Sequence, residues 1–289
     1  MSATSAVPLP KDAARPMSAG EKKVILASSL GTVFEWYDFY LYGSLAAIIG
    51  AQFFSAYPEA TRNIFALMAF AAGFLVRPFG ALVFGRLGDL VGRKYTFLVT
   101  ILIMGISTFV VGLLPSYATM NEYGVGWVAP VALLALRMLQ GLALGGEYGG
   151  AAVYVAEHAP PGRRGFYTAF IQTTATLGLL LSLMVILFTQ IYVNANYAPV
   201  ATTLADGSAG TITPFAAWGW RIPFLVSIVL LGVSVWIRLQ MQESPAFKKM
   251  KDEGTGSKAP LSEAFGQWRN AKWALLALLG LTAGQAVVW

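Results

Sequence analysis

Long apolar stretches recur along the chain, and short polar connections separate each from the next. Six of these stretches reach the ~20 residues that an α-helix needs to cross the hydrocarbon core of a bilayer. To within a few residues, the six predicted spans are 24–51, 62–84, 95–114, 128–156, 166–193 and 217–238. The pattern therefore predicts a six-helix transmembrane bundle within residues 22–240.

The segments outside the six spans have different patterns. Residues 1–21 are rich in Ala, Pro and Ser and contain no apolar run, which predicts a disordered tail. Residues 241–271 mix Lys, Glu, Gly, Ser and Pro, as in a linker, with a short interfacial helix predicted near 261–268. Residues 272–289 begin an apolar stretch too short for a crossing, so they predict a truncated seventh helix.

Composition supports a membrane protein. Hydrophobic residues make up 56% of the chain and charged residues only 12%, about half the charged share of a soluble domain. Cysteine is absent and His158 is the single histidine, so the sequence offers neither a disulfide framework nor a set of metal ligands. We expect no cofactor and no metal site.

The positive charge of the chain follows its predicted topology. A net charge of +6 could indicate a nucleic-acid partner, but that depends on where the basic residues lie. The first, third and fifth connections (52–61, 115–127 and 194–216) contain no Lys or Arg, whereas the alternate connections and the amino-terminal tail contain several. Because basic loops stay on the cytoplasmic side, the amino and carboxyl termini of the six-helix unit are predicted to be cytoplasmic, and so are the tail and the linker. This topology explains the basic residues without a nucleic-acid partner.

Two carboxylates interrupt the first predicted span. Glu35 and Asp38 lie three positions apart on one helical face, ~16 and ~21 Å from the start of the span. A charge at the bilayer centre costs at least ~2.5 kcal/mol, so each carboxylate needs a partner or a function. Two such neighbours repel when both are ionised, which suits a carboxyl that carries a coupled proton. Alternatively, each is the fixed partner of an intramembrane arginine.

Three further charges lie within predicted spans. Arg77 and Arg137 could each bind a substrate carboxylate through a bidentate fork or neutralise a buried carboxylate. We favour the counter-ion role for Arg77 and a shared role for Arg137. Glu147 lies ten residues beyond Arg137, ~15 Å along the axis and ~80° around it. Its partner must therefore come from another helix.

The fourth predicted span also carries glycines spaced four residues apart. Gly141, Gly145 and Gly149 form one stripe, and Gly146 and Gly150 form a second. In a membrane, such stripes allow two helix backbones to approach closely. Packing is the simpler interpretation, and a smooth helix could in addition slide or rock.

The second connection, from Gly85 to Lys94, reads GRLGDLVGRK. It resembles the signature loop between the second and third helices of the major facilitator superfamily. The matching residues are Gly85, Leu87, Asp89, Gly92, Arg93 and Lys94. Physically, the glycines permit a tight crossing. Asp89 can accept hydrogen bonds at a helix amino terminus and pair with Arg93 or with a basic residue of the opposite half. In that superfamily this loop is a cytoplasmic latch that holds the outward-facing state.

Three other stretches, 31–43, 137–150 and 218–224, are similar to the metabolite:proton symporter family of that superfamily. The resemblance implies an all-α membrane fold, an amino-terminal six-helix bundle of two inverted three-helix repeats. It makes the intramembrane carboxylates and Arg137 candidates for proton coupling and substrate contact. Since the family has twelve helices, it also implies a missing carboxyl-terminal half, without which we expect no transport.

Members of that family import organic acids such as shikimate, citrate and alpha-ketoglutarate, or proline and betaine, with protons across the bacterial inner membrane. We favour the organic acid here, with the zwitterionic solute as an alternative, because Arg77 and Arg137 place positive charge near the cavity. The expected partners are the substrate, protons and the bilayer. A lipid-modifying membrane enzyme would need clustered acidic or His ligands, which the sequence lacks, so we expect no enzyme. A non-transporting sensor or regulatory fragment remains open.

Overall fold

The computed structural model describes residues 19–159, 162–203, 209–240, 243, 245–254, 260–277 and 279. Its helices are α1 (Ala19–Ser44), α2 (Ala46–Phe53), α3 (Glu59–Val91), α4 (Arg93–Leu113), α5 (Tyr117–Asn121), α6 (Val128–His158), α7 (Arg164–Asn196), α8 (Arg221–Leu239), α9 (Pro245–Asp252), α10 (Pro260–Gly266) and α11 (Trp268–Ala277). The predicted spans correspond in order to α1 with α2, then to α3, α4, α6, α7 and α8.

The first predicted span is a helix in two pieces. The Leu45 amide donates to the carbonyl oxygens of both Leu41 and Tyr42 at 3.2 Å, and α2 continues directly from this bend. Helix α1 begins at Ala19, within the predicted tail, and residues 1–18 lie outside the described residues.

Five of the described helices are long and apolar enough to cross a membrane: α3, α4, α6, α7 and α8. These are the second to sixth predicted spans. Helix α1 falls below the same criterion because polar side chains, including Glu35 and Asp38, interrupt its apolar sequence.

The helices pack mainly in three pairs, α3 with α6, α1 with α7 and α4 with α8, and α6 also contacts α4. The α3–α6 contact is backbone on backbone. A Cβ atom at Gly141 would overlap the carbonyl oxygen of Gly73, and one at Gly145 would overlap that of Arg77. This confirms the packing role predicted for these two glycines of α6.

The two ends of the bundle differ in charge and in structure. Helix α4 starts, and α6 and α8 end, at the end where Arg93 and Lys94 lie, which we call the basic end. At the opposite end the Arg221 guanidinium donates to the carbonyl oxygens of Gly112 (3.1 Å) and Leu114, which the end of α4 leaves without intrahelical partners.

The connections hold more regular structure than the sequence indicates. Strands β1 (Val200–Thr203) and β2 (Ala209–Ile212) pair antiparallel where the sequence predicts only a loop, and a π-helix, Phe215–Gly219, precedes α8. Helix α10 coincides with the short helix predicted in the linker. Helix α11 begins ahead of residue 272, and residues 280–289 of the predicted seventh span lie outside the described part of the chain.

Candidate substrate and proton site

A small cavity lies between α1, α3, α4 and α6. Four of the five predicted intramembrane site residues line it: Glu35, Asp38, Arg77 and Arg137. The remaining wall is largely aromatic or small, from Phe39, Phe70, Phe74, Gly73 and Gly141, with Met104, Leu144 and Gln140. The structure thus brings together charges that are far apart in sequence, and it leaves Glu147 outside this cavity.

A chain of hydrogen bonds runs from Arg137 to Thr108, next to Asp38. Arg137 Nη1 donates to Gln140 Oε1 at 2.5 Å, and Gln140 Nε2 donates to Thr108 Oγ1 at 2.7 Å. The Thr108 hydroxyl donates to the carbonyl oxygen of Met104 at 3.0 Å and lies next to the Asp38 carboxylate, and all four side chains are buried. Since two neutral groups separate the carboxylate from the guanidinium, Asp38 can gain or lose a proton without breaking a direct ion pair.

Two members of this hydrogen-bonded chain, Thr108 and Gln140, were not predicted from the sequence. Gln140 follows Arg137 by three residues and therefore shares its helical face, a signal that was available. Thr108 sits among other hydroxyl residues of α4 that bond to their own backbone, as it also does through Met104 O. Nothing in the sequence distinguishes it from them.

Both cavity arginines lie over aromatic rings. Arg77 Cζ is 4.3 Å from the ring centroid of Phe74 and 4.8 Å from that of Phe39, and Arg137 Cζ is 4.2 Å from Tyr42. Ring faces attract these cations without using their N–H groups. Among the described residues, Nε of each arginine is buried and has no hydrogen-bond partner.

Glu147 forms a buried ion pair with Arg238 of α8. Its second oxygen, Oε2, accepts a hydrogen bond from Thr100 Oγ1 of α4 at 3.1 Å. The prediction that its partner comes from another helix is confirmed. Because Arg238 ends an apolar span, the sequence places it among the charges of the linker, whereas its side chain turns into the bundle and is only 4% exposed.

At the basic end, Arg93 of the predicted latch joins three elements. Its Nη2 lies 3.9 Å from Asp89 Oδ1 of α3 and 3.5 Å from Glu157 Oε1 of α6. Its backbone amide donates to Glu243 Oε1 at 3.0 Å, next to that of Lys94, which donates to Oε2 at 3.4 Å. The acceptor at the amino terminus of α4 is therefore Glu243, while Asp89 pairs with Arg93.

Two glycines of the latch loop lie in different structural environments. Gly92 has φ +116°, a conformation that favours glycine, and a Cβ atom there would overlap Glu243. Gly85 has open space around it and, with Asp89 and Arg93, lines a groove of about 760 Å³ between α3, α4 and α6. This basic-end groove is also bounded by Phe97 and by the glycines of α6, Gly145, Gly146, Gly149 and Gly150.

Residues 23–274 match the family described as Sugar (and other) transporter. The chain belongs to this transporter family. The Escherichia coli inner membrane metabolite transport protein YhjE is 39% identical over 83% of the chain and 50% of its own length. The Escherichia coli shikimate transporter is 38% identical over 84% and 51%, and the Salmonella typhimurium proline/betaine transporter is 36% identical over 93% and 50%. The chain thus spans about half the length of the curated relatives it matches.

Solved structures with the same fold come from the major facilitator superfamily. The proton:xylose symporter XylE bound to 6-bromo-6-deoxy-D-glucose superposes with a TM-score of 0.66, at 17% identity, over 82% of this chain and 48% of its own. The inward open XylE of E. coli gives 0.62 over 87% and 54%. The predicted all-α membrane fold of this superfamily is confirmed, and these relatives of the sugar (and other) transporter family are transporters rather than enzymes.

Proposed function

We propose that this chain forms one wall of a proton symporter that carries a small organic acid across the bacterial inner membrane. The observation that supports this most directly is the buried Asp38 carboxylate beside Thr108, which hydrogen bonds link through Gln140 to Arg137 at the cavity. The basic end is then cytoplasmic, in keeping with the distribution of Lys and Arg. A second bundle, as in other carriers of this fold, completes the cavity.

Coupling follows from charge in a site of low dielectric constant. A substrate carboxylate that approaches Arg137 also approaches Asp38, and two anions repel strongly where water is scarce. Substrate binding is favourable when Asp38 is protonated, because the substrate carboxylate is then the only anion near the Arg137 guanidinium. Substrate and proton therefore enter together, and Thr108 and Gln140 transmit the state of Asp38 to Arg137.

A zwitterionic solute is the second candidate, and the aromatic wall of the cavity favours it. Phe39, Phe70 and Phe74 lie with ring centroids 4.9–5.2 Å apart. Such a cluster can hold a quaternary ammonium group by cation–π attraction, with the carboxylate on an arginine. An organic acid has no cationic group to contact these rings, which would then interact only with Arg77 and Arg137.

Uptake by proteoliposomes tests both candidates. With the whole protein that contains this chain, we expect one of shikimate, citrate, alpha-ketoglutarate, proline and glycine betaine to drive proton movement. Asp38→Asn should lower accumulation driven by a proton gradient at least ~10-fold, because the coupled carboxyl is lost. Glu59→Gln, at an exposed acidic residue that begins α3, is the control. No proton movement with any of the five compounds would contradict symport of these substrates, and unchanged pH dependence in Asp38→Asn would exclude Asp38.

The latch is tested by access to the basic-end groove. Because the chain has no cysteine, Gly149→Cys provides a single thiol at an exposed position of that groove. We expect Arg93→Gln to increase its labelling by an impermeant maleimide several-fold, because the contacts to Asp89 and Glu157 are lost. The measurement uses inside-out vesicles, with Lys249→Gln as the control at an exposed ion pair. Equal labelling with and without Arg93 would contradict the latch, and labelling only from the outer side would contradict the orientation.

A further inference from the structure

The guanidinium of Arg238 lies between α6 and α1. Besides its ion pair with Glu147, Nη1 donates to the carbonyl oxygen of Phe97 at 3.4 Å, while Nε has no hydrogen-bond partner among the described residues. On the α1 side it rests against Gly31, where a Cβ atom would come within 2.7 Å of Nη2. Glycine at this position therefore lets Arg238 reach α1.

Glu35 follows Gly31 by one helical turn and so shares the face that Arg238 touches. It is 1% exposed, and neither carboxylate oxygen has a hydrogen-bond partner among the described residues. The charged groups that act on it are Arg238 from α8, Arg77 from α3 and Asp38 of its own helix. Glu35 thus lies between the cavity, which it lines with Arg77, and the Glu147–Arg238 pair.

The buried carboxylates form a series from the cavity to the basic end. Asp38 and Glu35 are ~4.5 Å apart along α1, and Glu147 lies ~15 Å beyond Arg137 towards the basic end of α6. Glu147 lies beside the basic-end groove, because its neighbours Gly146 and Gly150 line that groove. Phe97 lines the groove too, and its ring lies 5.3 Å from Arg238 Cζ. Phe97 thus contacts both Arg238 and the groove.

We propose that Glu35, Glu147 and Arg238 form a proton-release site between the cavity and the basic-end groove. This inference rests on the proposed function, since it concerns the path of the symported proton. Arg238 is the counter-ion that the two glutamates share. It stabilises whichever of them is ionised.

The transfer balances in charge and atoms at each step. The proton passes from the Asp38 carboxyl to the Glu35 carboxylate, and Asp38 is again ionised opposite Arg137. Glu35 then gives the proton to Glu147, and the Arg238 guanidinium moves from Glu147 to the carboxylate left on Glu35. Finally Glu147 releases the proton to water in the basic-end groove, and its ion pair with Arg238 forms again.

The neutral double variant Glu147→Gln with Arg238→Gln separates a proton-release site from a structural ion pair. It removes the Glu147 carboxylate together with its ion-pair partner, and Arg77 remains as a positive charge beside Glu35. The assay uses proteoliposomes with radiolabelled shikimate, or glycine betaine if the wild type accumulates that compound instead. We expect substrate counterflow to persist while accumulation driven by a pH gradient falls at least ~10-fold. The matched control, Lys249→Gln with Glu253→Gln, neutralises an exposed ion pair and should accumulate substrate like the wild type.

Glu35→Gln provides a second, independent test, because its side chain has no hydrogen bond to lose among the described residues. We expect it, too, to lower accumulation far more than counterflow. Accumulation at the wild-type level in either variant would overturn the proposal. The Glu147–Arg238 ion pair would then have a structural role only. Failure of the wild type to accumulate any substrate would instead count against the proposed function.

Discussion

Gly141→Ala is expected to remove most of the folded protein from the membrane. The added Cβ atom would overlap the carbonyl oxygen of Gly73, so α3 and α6 must separate along their whole contact. Overpacking costs ~1–3 kcal/mol in ordinary cores. We expect at least the upper part of that range here, because the obstacle is backbone that cannot change rotamer. A fluorescent fusion followed by size-exclusion chromatography measures the surviving monodisperse protein.

Gly149→Ala is the matched control on the same helix. A Cβ atom added at Gly149 would have no atom of another element within 4 Å, and the residue faces the basic-end groove. Alanine there should also favour the helix by up to ~1 kcal/mol. Equal losses from the two substitutions would show that backbone contact at Gly141 does not hold α3 to α6.

Arg238→Gln is expected to destabilise the bundle by ~3–5 kcal/mol, because it leaves the buried carboxylate of Glu147 without a counter-ion. Gly31 and Phe97 also lose the group that packs between them. The yield of folded protein and its thermal transition in detergent measure the loss.

The double variant Glu147→Gln with Arg238→Gln should regain most of that stability. Once both charges are gone, two amides can hydrogen-bond in the same space, and neutral replacements of a buried ion pair often cost little. If the double variant were as unstable as Arg238→Gln alone, the ion pair would contribute more than mutual neutralisation, and the packing of the Arg238 side chain would be the reason.

Much of the candidate site could be predicted because charged side chains are energetically unfavourable inside a membrane. Glu35, Asp38, Arg77 and Arg137 were predicted because charges in apolar spans need a partner or a function, and the structure places all four on one cavity. Arg238 and Glu243 were missed because Arg238 is the last residue of a predicted span and Glu243 follows it, and a charge at the edge of a span costs little. Burial of Arg238 depends on Gly31 and Glu147, which belong to two other helices.

The sequence by itself determined the spans and the basic end, because bilayer thickness sets helix length and positive charge is unevenly distributed across membranes. It also determined that Glu147 needs a partner from outside its helix, since helix geometry separates it from Arg137. Only the tertiary structure decided that this partner is Arg238 and that Thr108 lies between Asp38 and Gln140. Such pairings depend on which helices are neighbours and how closely they approach. Those distances are set by contacts such as Gly73 on Gly141, which no single helix specifies.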